Sequence, residues 1–427
     1  MTLFIFLAVL VVTIVIGVPI AFALITCGIV LMYHLDFFRP AAMAASLVSG
    51  ADNFSLMAIP FFILAGEMMN AGGLSQRIVD LPLKLIGHKR GGLGYVAIIA
   101  TVIMASLSGS AVADTAAVAA ILIPMMVRAG YPLVRSAGLI SAGGIIAPII
   151  PPSMPFIVFG VTAAVSIKDL FMGGIVPGLL MGGGLMTVWY LLSKRMDLEL
   201  QPKASREEVI RTVLSSAWAL VLPVVIIGGF RIGVFTATEA GAVAAVYSMF
   251  VGLCVYREMG LKVFYRQLAN SVTTIGVVTF LVAAANVSGV LMARAKLPDM
   301  VANLLSPLIG QPTLLLVVIM LLCFFVGMVM DLTPAVLILV PVIMPLIRQA
   351  GINEAYFGIV FIMNLCIGLL TPPVGNVLNV ITGIAKIRFD QAVRGVLPFL
   401  LAHIFVLALL IAWPDLVIVP MNWFLGR

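Results

Sequence analysis

The chain has 427 residues, of which 63% are hydrophobic and 10% are charged, and its formal net charge is +7. Soluble domains carry about 25% charged residues, so the composition excludes an ordinary soluble protein. Apolar runs of about 20 residues, long enough to cross a bilayer as a helix, recur from end to end. The sequence therefore predicts an all-α polytopic membrane protein. Basic loops that set its orientation explain the net charge without a nucleic acid partner.

Apolar runs, read against glycine, proline and charged breaks, predict the membrane segments in chain order. The first run, residues 3–32, is expected to be one retained span, because it has no basic leading region and no small-residue cleavage site. Several later runs are too short or too broken to cross about 30 Å as one straight helix. Residues 198–215 are expected to form an amphipathic helix that lies in the membrane interface and braces the bundle, with a binding role as the alternative. The other predicted segments are 54–71, 92–108, 111–127, 137–164, 171–193, 216–230, 238–256, 271–293, 312–330, 334–347, 355–384 and 396–419.

The middle of the chain repeats itself with a constant offset of 221 residues. The matching pairs are Pro124–Gly130 (PMMVRAG) with Pro345–Gly351 (PLIRQAG), Pro151-Pro152 with Pro372-Pro373, and Phe62–Glu67 with Ala283–Ser288. Each repeat is predicted to hold a helix, a re-entrant helical hairpin and a proline-broken helix, the pattern from which transporter sites are built.

Charge predicts that the two repeats are inverted in the membrane. The mouth of the first hairpin carries six basic residues against one acid, whereas the mouth of the second carries three against two. The first mouth is therefore expected on the cytoplasmic side and the second outside. The N-terminus is then expected in the cytoplasm and the C-terminus in the periplasm. Of the 24 lysines and arginines, 17 fall inside and seven outside, at positions 39, 168, 231, 294, 296, 348 and 427.

Polar and acidic residues interrupt the apolar runs at both predicted hairpin tips. A tight turn at the first tip, SLSGSAVADT, frees helix-end carbonyls and N–H groups, which suit Na⁺ and a substrate carboxylate respectively. A glycine-kinked helix with self-bonded serines is the alternative. At the second tip, GMVMDLTP, Asp331 is expected either to neutralise a cation or to cap the following arm. The candidate residues are Ser106, Ser108, Gly109, Ser110, Asp114 and Thr115 at the first tip, and Gly327, Asp331 and Thr333 at the second.

Two crossing helices are broken by paired prolines. Proline removes a backbone donor and frees preceding carbonyls, which inside a bilayer must be satisfied by protein, water or an ion. The equivalent breaks imply two cation sites, and a pure hinge is the competing interpretation. The candidate residues are Pro151, Pro152 and Ser153 at the first break, and Leu370, Thr371, Pro372, Pro373, Gly375 and Asn376 at the second.

Other chemistry finds little support in the sequence. The three histidines are scattered, and no Walker loop or nucleophile, base and orienter set is visible, so no enzymatic activity and no organic cofactor are expected. An intramembrane enzyme would have to use Asp114 and Asp331. A channel is a further alternative. Structural roles are favoured for Glu67 and for Glu239, which is expected in the first turn of its helix.

Several motifs together resemble those of one transporter family. They are IPFFILAGEMMNAGGL (59–74), SLSGSAVADT (106–115), the segment 143–153, FTATEAGAVAAVYS (235–248) and GLLTPPVGNVLNV (368–380). The chain resembles the large membrane subunit of tripartite ATP-independent periplasmic (TRAP) transporters, the DctM family. The resemblance implies an elevator mechanism in the bacterial cytoplasmic (inner) membrane. It also implies Na⁺ sites at the hairpin tips and helix breaks, which transfer to Ser106, Ser108, Gly109, Ser110, Gly327, Thr333, Thr371, Pro372 and Gly375, with Asp114 and Asp331 nearby.

The resemblance also implies partners and a division of the chain. The expected partners are a small four-helix membrane subunit and a periplasmic binding protein that delivers an organic acid, with sialic acid or another sugar acid favoured. A self-sufficient carrier that needs no binding protein is the alternative. The expected transport regions are 54–164 and 271–386, and the expected scaffold regions are 1–53, 165–270 and 387–427.

Overall fold

The computed structural model describes residues 2–196, 198 and 202–427, and within these ranges the regular structure is entirely helical. This confirms the predicted all-α class. The helices are α1 (Thr2–Val15), α2 (Ile20–His34), α3 (Pro40–Ala51), α4 (Ala58–Ala71), α5 (Leu74–Ile86), α6 (Gly92–Ser108), α7 (Ala111–Arg128), α8 (Leu133–Gly144), α9 (Met154–Ala163), α10 (Ile167–Ser193), α11 (Arg206–Ile232), α12 (Ala237–Phe250), α13 (Leu261–Arg294), α14 (Leu297–Leu305), α15 (Pro312–Gly327), α16 (Leu332–Gln349), α17 (Glu354–Gly368), α18 (Asn376–Ala385), α19 (Phe389–Ala412) and α20 (Asp415–Leu425).

Eight helical segments in the described ranges are long and apolar enough to cross a membrane. Two of them extend the helices named above by a turn, since a 3₁₀ turn at Phe54–Met57 precedes α4 and a π-helical turn at Val251–Val255 follows α12. The other six are α7, α10, α11, α13, α16 and α19. These lengths support a multi-pass membrane protein.

The 221-residue repeat extends over most of the chain. Helices α7 and α16 begin and end 221 residues apart, and α8 and α17 begin 221 residues apart. The starts of five further pairs lie within four residues of that offset: α2 and α12, α5 and α14, α6 and α15, α9 and α18, and α10 and α19. The sequence motifs indicated only the central part of this duplication.

The first predicted span is wrong, because residues 3–32 form two helices. Gly17 has a positive φ of 85°, and the Pro19 that follows has no N–H to continue a helix. The chain therefore turns back, and α1 packs antiparallel to α2. The Thr2 hydroxyl lies 3.3 Å from His34 Nε2, and Cys27 Sγ lies 3.9 Å from the Phe6 carbonyl oxygen.

The predicted interfacial helix is not a separate element where the structure describes it. Positions 199–201 of that prediction lie outside the described residues. From Arg206 the chain forms one 27-residue helix that also contains the predicted span 216–230. Ser205 and Glu208 form a capping box that starts α11, and the helix ends at Gly233, which has a positive φ of 76°.

The two repeats differ in one long element. In the first repeat, α3 and α4 are separated by residues 52–57, whereas the equivalent stretch of the second repeat lies within the unbroken 34-residue α13. Helix α13 packs against both α3 and α4. Asn286 of α13 donates to the Ser46 carbonyl at 2.7 Å and to the Ser49 hydroxyl at 3.1 Å.

The hairpins and broken helices of the two repeats interlock. Helix α9 packs against α16, and its counterpart α18 packs against α7, so each broken helix contacts the hairpin of the other repeat. Helices α19 and α10 also pack into this bundle. Backbone contacts between Gly138 of α8 and Gly395 of α19 leave no room for a Cβ atom, and a Cβ atom on Gly174 of α10 would overlap the Ile149 carbonyl.

Candidate functional site

The first hairpin tip is a tight turn held by serine side chains. Gly109 ends α6 with a positive φ of 62°, and Ser110 is the N-cap of α7. The Ser110 hydroxyl accepts a hydrogen bond from the Ala113 N–H at 3.3 Å, and the Ser108 hydroxyl accepts one from the Ser110 N–H at 3.1 Å. Ser106 is bonded back to its own helix, since its hydroxyl donates to the Ile103 carbonyl at 2.6 Å.

Asp114 is fully buried one turn into α7. The Ser108 hydroxyl donates to its Oδ1, while its Oδ2 has no hydrogen-bond partner among the described residues. Thr115 is also fully buried, and its Oγ1 is likewise unpartnered within the described part of the chain. A Cβ atom on Gly144, at the end of α8, would overlap that Thr115 oxygen. The unpartnered Thr115 oxygen therefore lies where α7 meets the end of α8, just before the first helix break.

The first tip lies directly against the first break. A Cβ atom on Gly109 would stand 2.7 Å from the Pro152 carbonyl oxygen, so only glycine fits there. Ser153 caps α9 by accepting from the Phe156 N–H at 3.3 Å, and it donates to the Pro148 carbonyl at 2.5 Å. The peptide bond between Pro151 and Pro152 is cis, as is that between Pro372 and Pro373.

The second tip is joined to the second break by the backbone. The Met328 carbonyl accepts hydrogen bonds from the N–H groups of Val374 at 3.2 Å and Gly375 at 3.3 Å. Gly368 lies so close to Gly327 that an added Cβ atom would stand 2.7 Å from the Gly327 Cα. Asp331 occupies the N-cap position of α16 and is exposed, but among the described residues its side chain makes no capping hydrogen bond.

The polar residues of the second break are partly used by the break itself. The Thr371 hydroxyl donates to the Ile367 carbonyl at 3.0 Å, and Asn379 Nδ2 donates to the Val374 carbonyl at 3.0 Å. Leu370 is buried beside them, and Asn376 begins α18. These contacts hold the second break in a defined geometry.

The two remaining acids take different positions. Glu239 accepts from the Thr236 N–H and hydroxyl, each at 2.8 Å, which completes the capping box of α12 and bears out a structural role. Glu67 is half-buried on α4, next to Gly66, whose added Cβ atom would stand 3.8 Å from the Ser108 Cα. Helix α4 therefore covers the first tip.

Two polar cavities contain residues that the sequence analysis did not single out. An inner cavity of about 350 Å³ is bordered by α3, α9, α13 and α16, and an outer cavity of about 640 Å³ adjoins it at Asn53 and Val161. The polar lining residues are Ser49, Asn53, Thr162 and Asn286 in the inner cavity, and Asn53, Ser55, Ser166, Lys168, Thr236 and Thr238 in the outer one. Asn286 was recognisable, because an amide inside an apolar run is costly unless it has a partner.

The donor set at the first tip consists of hydroxyl, carboxylate and carbonyl oxygens, which suit a hard cation such as Na⁺. No group of three or more histidine, cysteine, aspartate or glutamate side chains that could hold a metal ion occurs in the described ranges. An oxygen site with one carboxylate and helix ends nearby can hold a monovalent cation and an organic anion.

The arrangement of helices is that of a known transporter fold. The structure is similar to that of the Alcanivorax borkumensis YdaH transporter, with a TM-score of 0.66 and 13% identity, covering 91% of this chain and 90% of that one. At this identity the likeness concerns the fold alone. Residues 7–416 match the family model described as the tripartite ATP-independent periplasmic transporter, DctM component. The chain belongs to this family, which confirms the resemblance found in the sequence.

Curated relatives match the chain over nearly its full length. A putative TRAP transporter large permease protein of Haemophilus influenzae is 60% identical over 423 residues, covering 99% of this chain and 100% of that protein. The 2,3-diketo-L-gulonate TRAP transporter large permease protein YiaN of Escherichia coli is 59% identical with the same coverage. The sialic acid TRAP transporter large permease protein SiaM of Vibrio cholerae is 37% identical, covering 96% of each chain.

Proposed function

We propose that this chain carries out Na⁺-coupled uptake of a sugar acid as the large membrane subunit of a TRAP transporter. It works with a small four-helix membrane subunit and receives its substrate from a periplasmic binding protein. The family match and the full-length similarity to large permease proteins support the tripartite arrangement. The 59% identity to the diketogulonate permease favours a keto sugar acid over sialic acid, whose permease is 37% identical.

The observation that carries the Na⁺ coupling is the buried carboxylate of Asp114. A buried charge is stable only when it is paired, so an ionised Asp114 needs a cation near its unpartnered Oδ2. The ion pairs found in the described residues do not include Asp114. Na⁺ supplies the missing charge, with Ser108, Thr115 and nearby carbonyls as further oxygen ligands. A substrate carboxylate then binds near the neutralised site, at the helix ends of the tips and breaks.

Side-chain contacts near the ends of the helices support the inverted arrangement. Four contacts join residues that are all expected on the cytoplasmic side. They are Arg77 with Glu258, Lys84 with Glu208, Arg90 with the Lys194 carbonyl and Arg135 with the Arg394 carbonyl. Members of the expected outer set, in contrast, share other partners. Arg39 and Arg294 both stack on Phe37, Arg348 donates to the Ala163 carbonyl, and Arg427 pairs with Asp169, next to Lys168.

The two-helix start of the chain changes the expected side of the N-terminus. With residues 3–32 as one span, the N-terminus would be cytoplasmic. Because α1 and α2 form a hairpin, and α12, the counterpart of α2, belongs to a helical segment long enough to span, we place the N-terminus outside, on the same side as Arg39. A membrane-impermeant maleimide should label Thr2→Cys in intact cells and leave Lys89→Cys unlabelled. Labelling of Lys89→Cys alone would restore the cytoplasmic N-terminus.

Transport by an elevator mechanism would move the interlocked hairpins and broken helices as one body. The close glycine contacts of α19 with α8 and of α10 with the first break favour moving these two helices with that body. This proposal differs from the expected division, in which 165–270 and 387–427 belong to the scaffold. Cysteine crosslinks between α8 and α19 should leave uptake intact, whereas crosslinks between α13 and α16 should stop it.

The deciding experiment is uptake of labelled 2,3-diketogulonate or sialic acid into proteoliposomes that contain this chain and its small subunit. Uptake that requires both an inward Na⁺ gradient and the loaded binding protein is the expected result. Na⁺-driven uptake of free substrate without the binding protein would instead establish the self-sufficient carrier. Uptake that follows a proton gradient and ignores Na⁺ would show that a proton neutralises Asp114.

A further inference from the structure

The outer cavity opens between the ends of several helices on the face that carries the outer set of basic residues. The starts of α10 and α12 form two of its walls, through Ser166–Lys168 and Thr236–Thr238. The segment Asn53–Ser55, in the break between α3 and α4, forms a third. The outer cavity shares the lining residues Asn53 and Val161 with the inner cavity, so the two cavities lie next to each other.

Lys168 determines the charge of the two cavities. Among the described residues that line the two cavities, Lys168 is the one with a charged side chain. The described residues offer it no carboxylate partner within ion-pairing distance, because the adjacent Asp169 pairs with Arg427 at 3.4 Å. Glu239, at the start of α12, is held by Thr236. The positive ends of the α10 and α12 dipoles add to the attraction for an anion.

The inner cavity offers hydrogen-bonding groups and little charge. Asn286 and Ser49 line it from α13 and α3, and Thr162 lines it from α9. Its volume of about 350 Å³ lies at the lower end of the range for small-molecule pockets, about 300–1,000 Å³. Amides and hydroxyls around such a space suit the hydroxyl groups of a sugar acid.

The inner cavity also lies part of the way towards the second tip. Leu337 and Pro341 of α16 border it, five and nine residues after the first residue of that helix, Leu332. At 1.5 Å per residue these positions stand about 8 and 14 Å along α16 from the tip end. The inner cavity therefore ends about 8 Å, measured along α16, from the second tip.

We propose that the outer cavity is a capture site for the carboxylate of the incoming sugar acid, with Lys168 as its anion-binding group, and that the substrate passes from it into the inner cavity. This rests on the proposed function, because it concerns the same substrate before it reaches the Na⁺-binding tip. Lys168 acts on arrival of the substrate and contributes nothing to the coupling ion.

The test compares Lys168→Gln with Lys296→Gln in the proteoliposome assay with the small subunit and the loaded binding protein. Lys296 is a matched control, because it is exposed on the same expected face and lies outside both cavities. Lys168→Gln should raise KM by about tenfold, within the range of electrostatic steering, with kcat and the Na⁺ concentration for half-maximal uptake changed less than about twofold. Lys168→Arg should restore KM.

A labelling experiment separates substrate capture from docking of the binding protein. In Lys168→Cys, the free sugar acid alone should slow modification by an anionic thiosulfonate reagent, whereas substrate-free binding protein should protect less. Protection by the binding protein regardless of substrate would overturn the proposal and make Lys168 a docking residue. Equal kinetics of Lys168→Gln and Lys296→Gln would overturn it as well. Absence of Na⁺-dependent uptake in the unmodified protein would instead refute the proposed function.

Discussion

The two hairpin tips occupy equivalent positions in the repeat, yet they are built from different chemistry. At the first tip, side-chain oxygens of Ser108, Ser110 and Asp114 surround the turn, and Asp114 Oδ2 is buried without a partner in the described residues. At the second tip, the Met328 carbonyl takes two backbone hydrogen bonds from the second break. The residues 221 positions after Ser108, Asp114 and Thr115 are Val329, Ala335 and Val336.

The difference shows that two repeats with the same arrangement of helices need not contain the same ion-binding groups. The paired proline breaks predicted two similar cation sites, one in each repeat. The side chains favour a cation site with a carboxylate at the first tip, and a backbone-built connection at the second.

The largest expected effect is that of Asp114→Asn. Losing the buried carboxylate should raise the Na⁺ concentration for half-maximal uptake by about hundredfold or abolish uptake, equivalent to about 2.7 kcal/mol of binding free energy. Asp331→Asn should change it by about twofold or less, because Asp331 is exposed. Proteoliposome uptake against external Na⁺ gives both values, and similar effects of the two substitutions would contradict the proposed asymmetry.

The same variant should separate ion binding from folding. Without Na⁺, Asp114→Asn should be at least as stable as the unmodified protein, because it removes an uncompensated buried charge. Saturating Na⁺ should raise the melting temperature of the unmodified protein and leave that of the variant unchanged. Thermal unfolding in detergent measures both effects, and an equal Na⁺-induced shift in the two proteins would move the cation away from Asp114.

At the second tip the most sensitive position should be a glycine. Gly368→Ala forces a methyl group against the Gly327 backbone, so it should cost about 1–3 kcal/mol of folding stability. Gly383→Ala on α18 is the matched control, because its added Cβ atom meets no atom within 4 Å. Thermal unfolding of the two variants makes the comparison. Equal melting temperatures would mean that the second tip is not packed as described.

Removing a hydroxyl group should also weaken Na⁺ binding more at the first tip than at the second break, but the difference should be smaller than that between Asp114 and Asp331. Ser108→Ala removes a hydroxyl that contacts Asp114, so it should raise the half-maximal Na⁺ concentration by about tenfold, or about 1.4 kcal/mol. Thr371→Ala should raise it by about twofold or less, because that hydroxyl is bonded to the Ile367 carbonyl. A larger effect of Thr371→Ala in the Na⁺ titration would locate a cation at the second break.

The smallest expected difference concerns the two N-cap positions. Ser110→Ala should cost about 1 kcal/mol because it removes a side-chain cap of α7, and Ser110→Gly should cost only a few tenths. Asp331→Ala should change stability by about 0.5 kcal/mol or less, since no capping bond of that side chain is described. Thermal unfolding of all three variants provides the test, and a loss at Asp331 matching that at Ser110 would reveal a cap formed at both tips.

Much of the fold was predictable from the sequence, because glycine and proline mark helix ends. Glycine adopts backbone conformations that other residues avoid, and proline has no N–H to donate within a helix. The bounds of α6 were predicted to the residue, and the two proline-broken helices were recognised. The separation of α1 from α2 was missed. Residues 3–32 are apolar throughout, so Gly17 and Pro19 were interpreted as interruptions that one helix can tolerate rather than as a turn between two helices. The capping box that starts α11 was missed for a related reason, because polar periodicity alone indicated a surface helix.

The candidate site was predictable in part. The serines and Asp114 stood out because polar residues are costly in apolar runs. Which of their oxygens remain unpartnered depends on neighbours distant in the sequence, such as Gly144 beside Thr115. The cavity residues Asn53, Thr162 and Asn286 come from separate parts of the chain, so no local motif connects them.

The break between α3 and α4 distinguishes the two faces of the duplicated protein. Residues 52–57 interrupt the helix in the first repeat and supply Asn53 to both polar cavities, whereas the equivalent residues of the second repeat continue α13. Two identical halves of opposite orientation would offer the same opening to both compartments and have no preferred entrance. A six-residue departure from pseudo-symmetry is therefore enough to make the two ends of the duplicated bundle different in shape and polarity.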